Sequence, residues 1–341
     1  MSMKRISLLI LLGAALMLQS CTSGVKKDFT GYLFAYFEGT GNPHKQEQLR
    51  FAVSKDAVNW HALNGNQPII ASDTISESGG IRDPHILRGE DGCYYMVATD
   101  MYTFDPAQGW GSNPGIVLLK SDDLVNWTHA KINLSKDYPE NFGDAYWVWA
   151  PQSIYDHNEG KYMIYFTLQR SDRRSLITYY AYANEDFTGF ESEPRQLFSA
   201  KFGSIDNDII YKDGTYHLFY KGNSKDENGR EYKNGIQQAT SKNLTGPWEE
   251  DFKYLDAYSD KRIVVEGSSV FKLNDKDEYI LMYDLYSSGR YEFQRSTDLY
   301  TFTEEPESFN KDFFPRHGSI ISVTADELDR LQQKWGNVLN P

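Results

Sequence analysis

The sequence predicts an all-β fold, a five-bladed β-propeller closed by its two ends and followed by a short C-terminal helix. Three observations predict it. A short phrase recurs five times, at Ser54–Trp60, Ser121–Trp127, Asn184–Phe190, Ser241–Trp248 and Ser296–Phe302, with intervals of 55 to 67 residues. Each of the last four copies follows a run of alternating apolar and aromatic residues behind an Asp/Gly/Asn turn, such as Cys93–Ala98 or Tyr216–Tyr220. A period near sixty, with several short strands per unit, suits blades of about four strands that must stack on their neighbours to bury both faces.

The first twenty residues stand apart from this pattern. Lys4 and Arg5 precede an apolar run, Ile6 to Leu18, that is too short for a permanent membrane span and reads as a secretory signal. It ends in Leu18-Gln19-Ser20-Cys21, which resembles a bacterial lipobox and makes Cys21 the expected site of lipidation. The expected protein is therefore anchored by lipid in a bacterial cell envelope, at the outer membrane or a periplasmic face, with residues 21–30 as tether and 31–341 as one catalytic propeller. An ordinary signal peptide with an accidental cysteine is the bland alternative.

The first blade has predicted strands near Tyr32–Phe37 and Leu49–Val53, and its innermost strand is expected from the far end of the chain, Gly318–Val323, because no sixth phrase follows. Such a ring leaves no open edge. Thr324 to Trp335, with Thr-Ala-Asp-Glu and then Leu328 and Leu331 at helical spacing, reads as a capped terminal helix. The segments 100–115 and 136–146, rich in Gly, Pro and aromatics, are expected to shape one rim of the central cavity.

About 320 residues remain after cleavage, enough for a well-buried core. The mature formal charge is −15, from 33 basic against 48 acidic residues, which disfavours nucleic acid and anionic lipid as partners and leaves the lipid anchor as the membrane contact. Only Cys93 is left once Cys21 is lipidated, so no intramolecular disulfide forms and Cys93 reads as a buried strand residue. The aromatic content of 15% fits both a strand-rich propeller and carbohydrate recognition.

The repeat places Asp83, Trp149, Asp206, Glu266 and His317 at equivalent positions just before each innermost strand, at spacings of 66, 57, 60 and 51. Inner-strand starts converge on the axis, so Asp83, Asp206 and Glu266 are expected to form a triangle of acids. Carboxylates sharing one pocket repel, and at least one should hold a proton near neutrality. Coexisting acid and base are what glycoside hydrolysis needs. Each Asp taken singly is as well explained by turn formation, whereas Glu266, in Val264-Val265-Glu266-Gly267, has no turn to form. Gly39-Thr40-Gly41 leads into Asn42-Pro43 rather than a helix, which argues against a phosphate loop, and the histidines show no zinc spacing.

In order and separation, Arg82-Asp83-Pro84, Trp149-Ala150-Pro151, Ile205-Asp206, Glu266-Gly267, Gly289-Arg290 and Arg316-His317-Gly318 resemble glycoside hydrolase family 43, along the whole mature chain. The resemblance implies an inverting glycosidase with Asp83 as general base, Glu266 as general acid and Asp206 raising the pKa of that acid, with Asp208 as a rival for the last role. It also implies substrate contacts from Arg290 and Trp149, with Trp147 flanking, and a calcium ion or a structural hydrogen bond at His317. No cofactor is required. One departure is that the base motif lies some 60 residues into the mature chain rather than near its start.

The expected reaction is exo-acting removal of a pentose, α-L-arabinofuranose or β-D-xylose, from plant-type oligosaccharides or polysaccharides, with water as the second substrate. The alternatives are a β-galactosidase-type enzyme, a fructosidase of the related five-bladed families 32 and 68, and a non-catalytic sugar-binding or structural surface lipoprotein. The fructosidase reading lacks an upstream Asn-Asp-Pro motif, and the intact acid triad argues against a binder.

Overall fold

The computed structural model describes residues 28–39, 46–107, 109–173, 175–225, 231–256, 263–286, 288–303, 306 and 309–339; the expected leader and Cys21 lie outside them. Five sheets stand around an axis. The first begins with β1 (Phe29–Glu38), β2 (Arg50–Ser54) and β3 (Asn59–Ala62). The second is β4 (Ile81–Arg88), β5 (Tyr94–Asp100), β6 (Gly115–Ser121) and β7 (Thr128–Asn133). The third is β8 (Ala145–Asp156), β9 (Lys161–Arg170), β10 (Leu176–Tyr182) and β11 (Arg195–Phe198). The fourth is β12 (Ser204–Lys212), β13 (Thr215–Lys225), β14 (Glu231–Ser241) and β15 (Glu249–Glu250), and the fifth is β16 (Glu266–Lys272), β17 (Tyr279–Leu285) and β18 (Arg290–Ser296).

The chain then returns to the first sheet. β19 (Asn310–Lys311) adds parallel to β3 at the outer edge, a pairing with no signal in the repeat. β20 (Pro315–Thr324) pairs antiparallel with β1, Tyr32 opposite Ser322 and Ala35 opposite Ser319, so the predicted closure is present and the innermost strand of the first blade is C-terminal. The inner strands β20, β4, β8, β12 and β16 touch in sequence around the axis.

Strand alternation explains how the blades stack. On β5, Met96 and Ala98 join the core toward the first blade, while Tyr95 and Val97 join the core toward the third. On β17, Ile280 and Met282 face the first blade and Leu281 and Tyr283 the fourth. Successive side chains of a strand point to opposite faces, and apolar residues at both parities bury both. Cys93 is a buried thiol immediately ahead of β5, donating to Asp122 Oδ1 at 3.4 Å.

In the first four blades the recurring phrase is the turn between the third and fourth strands, and in the fifth it follows the third strand. Asp56 Oδ1 accepts the backbone N–H groups of Val58 and Asn59 at 2.9 and 2.8 Å, and Asp123 does the same for Val125 and Asn126 at 2.8 and 2.7 Å. The residue after each Asp sits in the left-handed region, Ala57 at φ 62° and Leu124 at φ 67°, a conformation these acceptors stabilise. Trp60 and Trp127 return their indole N–H to the carbonyls of Ala57 and Leu124.

The terminal helix, Ala325–Trp335, has the capping box read from the sequence, Thr324 with Glu327. Leu328 and Leu331 pack into the core between the first two blades, and Glu327 pairs with Arg88 at 2.5 Å.

Candidate active site

The inner strands of blades two to five each break register near the axis, between Arg82 and His85, Trp149 and Gln152, Ile205 and Asp208, and Glu266 and Ser269. Within each bulge one residue has positive φ: Asp83 (52°), Ala150 (43°), Asp206 (57°) and Gly267 (64°). The equivalence expected from the repeat is therefore corrected. Asp83 and Asp206 are the bulge residues at positive φ, whereas Trp149 and Glu266 each stand one position earlier and are the counterparts of Arg82 and Ile205. All five residues, His317 included, lie inside their strands rather than ahead of them. A bulge re-aims side chains next to a site, and a non-glycine residue held at positive φ is a strain that the surroundings must over-determine. At Gly267 a Cβ would stand 3.0 Å from His317 Cβ, so glycine is required there twice over.

These bulges line a cavity of about 430 Å³, within the range of small-ligand pockets. Asp83, Asp206, Glu266 and Trp149 all line it, joined by Arg82, Arg316, Glu47, Tyr286 and Trp110. Asp208 does not: it is buried behind the wall, accepts the Val270 N–H and stands 4.0 Å from His85, which makes Asp206 the second aspartate of the pocket. Arg290 is exposed, lies 3.5 Å from Glu292 and is not among the lining residues. Arg316 occupies the place expected of Arg290, with its Nη2 donating to Glu266 Oε1 at 2.6 Å. Trp147 sits outside the cavity against Trp149, its indole N–H on the Gly111 carbonyl at 2.8 Å. Of the two expected rim segments, 100–115 supplies Thr103, Phe104 and Trp110, and 136–146 supplies no lining residue.

The charges are ordered across the pocket. His317, 4% exposed, places Nδ1 3.5 Å from Asp83 Oδ1 and 3.7 Å from Asp206 Oδ1. These distances make an ion pair with each but no aligned hydrogen bond. Burial pushes the imidazole down, yet Asp206 and Asp83 outweigh it and carry its pKa up to about 9. Burial pushes Asp83 up as well, but His317, Arg82 and the Thr99 hydroxyl, at 3.0 Å, bring it below the usual carboxylate value. Asp206 is raised, first by burial and then by Glu266 and Asp83 against the pull of His317.

Glu266 differs from its expected state. Burial raises it, but Lys221 Nζ on Oε2 at 2.9 Å and Arg316 on Oε1 hold it below the ordinary glutamate value. Of the three acids, the one that favours a proton in the free pocket is Asp206. Behind Glu266, Asp284 accepts Arg316 Nε at 2.5 Å and is pushed up to about 7 by burial, despite that arginine.

The resemblance implied a calcium ion beside His317. Among the described residues no group of three or more His, Cys, Asp or Glu side chains is disposed to hold a metal ion.

Glu47, Lys221, Asp284 and Trp110 carry no signal in the repeat. Glu47 reads as part of a polar loop, His44–Gln48, yet it is fully buried and accepts Arg82 Nη1, Thr103 N and Thr103 Oγ1, each at 2.7 Å. Arg316 was legible in the Arg-His-Gly motif but not its partnership with Glu266.

A five-bladed ring with three acids, two arginines and an aromatic wall at its axis defines a carbohydrate-active site of the glycosidase class. Residues 27–329 match the family described as a probable glycosyl hydrolase domain, related to glycoside hydrolase family 43, and the chain belongs to it. An α-L-arabinofuranosidase of Bifidobacterium longum subsp. longum is 24% identical over 370 residues, 90% of this chain and 34% of its own length. A 1,2-β-oligomannan phosphorylase of Thermoanaerobacter sp. is 33% identical over 105 residues, 29% of this chain and 33% of its own. The chain thus spans about a third of the length of the curated relatives it matches. Among solved structures, a family 43 β-1,3-galactosidase superposes with TM-score 0.56 at 15% identity, covering 82% of this chain and 56% of that one. The α-L-arabinanase of Cellvibrio cellulosa, complexed with arabinohexaose, gives 0.53 at 17%, covering 79% and 89%. These likenesses establish the propeller.

Proposed function

We propose that the chain hydrolyses the glycosidic bond of a terminal pentose, α-L-arabinofuranosyl or β-D-xylosyl, with inversion at the anomeric carbon. The observation that carries the reading is three acids facing one cavity in unlike surroundings, with Asp83 held below and Asp206 raised above the ordinary carboxylate value. Asp83 acts as general base on water. Glu266, whose charge raises Asp206, donates to the departing oxygen, the two interacting carboxylates titrating as a pair. For this to happen the leaving-group oxygen takes the place of one cation at Glu266, and Arg316 turns to a sugar hydroxyl. His317 fixes Asp83 and Asp206 relative to each other, and Trp149 offers its ring to a sugar face. The pentose follows the arabinofuranosidase relative, and the lipid anchor at Cys21 belongs to the same reading.

The test is hydrolysis of nitrophenyl α-L-arabinofuranoside, β-D-xyloside and β-D-galactoside by the mature chain, with the first-formed anomer read by proton NMR. Turnover of one pentoside with an inverted product is expected; turnover of the galactoside alone overturns the pentose, and a retained anomer overturns the mechanism. A second reading has phosphate in place of water. It is favoured by Arg316 and Lys221 flanking Glu266 and by the phosphorylase relative. A rate that rises with added phosphate and yields a sugar 1-phosphate would select it.

A further inference from the structure

One guanidinium serves two carboxyls at the edge of the cavity. Glu266 opens β16, and Asp284 stands directly opposite it on β17. Residues so opposed in an antiparallel pair carry their side chains on the same face, about 4.5–5.5 Å apart at Cβ, where like charges repel. Arg316, from the innermost strand of the first blade, answers both. Its Nη2 donates to Glu266 Oε1 at 2.6 Å and its Nε to Asp284 Oδ2 at 2.5 Å. Glu266 and Arg316 line the cavity, whereas Asp284 lies behind them and is fully buried.

Packing does not call for an acid at this place. Met282 and Ile280, earlier on the same face of β17, belong to the apolar core between blades five and one, and a third apolar side chain would extend that core. The carboxyl instead leaves its Oδ1 without a hydrogen-bond partner among the described residues. The charged and titratable groups around it are Glu266, Arg316 and His317, with Tyr291 across the ladder on β18 and Lys311 from β19. Of these, Arg316 is the hydrogen-bond donor to it among the described residues. A buried carboxylate with one oxygen unmet is costly unless a cation compensates it or a proton neutralises it. Burial pushes Asp284 up to about 7 against the pull of Arg316, so its charge changes near neutrality.

This arrangement bears on how Glu266 carries a proton. Burial raises that carboxyl, but Lys221 and then Arg316 hold it below its ordinary value. A guanidinium whose charge is also met by a second carboxylate opposes protonation of the first less strongly. When a ligand oxygen displaces Nη2 from Glu266, Nε stays on Asp284, and no unpaired cation is left in the wall. We propose that Asp284 is a positioning residue that holds Arg316 and takes up its charge, so that Glu266 can keep the proton it gives to the departing oxygen. The proposal rests on the glycosidase reading, with Glu266 as donor, and deepens it by adding a fourth acid that does not touch the substrate.

The experiment follows the Glu266 carboxyl carbon by NMR in the full chain labelled with isotopic glutamate, as wild type and as Asp284→Asn, with Glu266→Gln to assign the signal. The titration midpoint of Glu266 should lie about one pH unit lower in Asp284→Asn than in the wild-type chain. Above neutral pH, kcat/KM of the variant should fall about tenfold on an alkyl pentoside and stay within about twofold on the dinitrophenyl one, with KM unchanged. Asp284→Leu prolongs the row of Ile280 and Met282 and removes the same charge, so it must give the same shift even where the Asn variant misfolds. An unmoved midpoint overturns the proposal, as does a rate loss equal on both leaving groups, which is what a merely structural residue would give. The two readings fail separately. A lowered midpoint without hydrolysis by the wild-type chain sinks the glycosidase and keeps the coupling of Asp284 to Glu266, whereas wild-type hydrolysis with an unmoved midpoint sinks that coupling alone.

Discussion

The outer turns and the inner bulges of the blades use the same residue type in two opposite ways. At the outer turns, Asp56, Asp123 and Asp298 each accept two backbone N–H groups and a serine hydroxyl from their own turn. Burial raises their pKa values, but those hydrogen bonds bring all three below the usual aspartate value. Their acceptor capacity is largely used where they stand. At the inner bulges, Asp83 and Asp206 are themselves the residues at positive φ, and their partners come from elsewhere in the chain: Thr99 for one, the Gly267 N–H at 2.8 Å for the other, and His317 between them. Acceptor sites remain that face a cavity. A carboxylate at a turn is thus structural when its own backbone satisfies it, and available for chemistry when it depends on a distant partner.

The comparison is broken most forcefully at the inner end. Glu266→Gln and Asp83→Asn should each lower kcat/KM by about 10²- to 10⁴-fold while the thermal midpoint moves by only a few degrees, measured by initial rates and calorimetry. Trp60→Ala does the reverse. Its ring is 1% exposed in the core between blades five and one, so denaturant unfolding should report a loss of about 3–5 kcal/mol, with the activity of the folded fraction intact. Gly267→Ala touches both properties. The left-handed backbone and the 3.0 Å approach to His317 should cost about 1–3 kcal/mol and displace Glu266, so stability and rate fall together.

Smaller effects sharpen the contrast. Asp123→Ala removes a turn acceptor and should cost about 1 kcal/mol with unchanged kcat/KM, by analogy with the loss of a capping side chain. His317 gives a pH signature. Its pKa is raised in the folded state, from 6.5 to about 9, so its contribution to stability is complete below pH 6.5 and is lost as pH rises toward about 9. The thermal midpoint of the wild-type chain should therefore fall over that interval, and the fall should be shallower in His317→Gln.

The ring was legible because five phrases at nearly even spacing impose it, and closure followed from the count: five phrases leave one inner strand to come from Gly318–Val323. The acids were legible for a related reason, since the repeat turns sequence separation into proximity at the axis. What the repeat could not supply is anything set by a one-residue offset or by a partner in another blade. Trp149 and Glu266 sit one residue before the bulge, a shift that flips a side chain between faces and that spacing alone does not resolve. Lys221 and Arg316 come from blades four and one to hold the Glu266 carboxyl below its ordinary value, and the repeat announces neither partner. Arg290 looked functional from its place after the acid, but it stands at the exposed start of its strand. Glu47 lies in a polar run whose burial depends on Arg82 and Thr103.

The central claim is the division of labour between Asp83 and Glu266. It is tested most directly by hydrolysis of one pentoside series with leaving groups from dinitrophenol to an alkyl alcohol, by the wild-type chain and by Asp83→Asn, Asp206→Asn and Glu266→Gln. A departing oxygen that is already a weak base needs no proton. Glu266→Gln should therefore approach wild-type rates on the dinitrophenyl glycoside and fail on the alkyl one, while Asp83→Asn fails on both. Recovery confined to Asp206→Asn would make Asp206 the proton donor, and recovery in Asp83→Asn would contradict the account at its core.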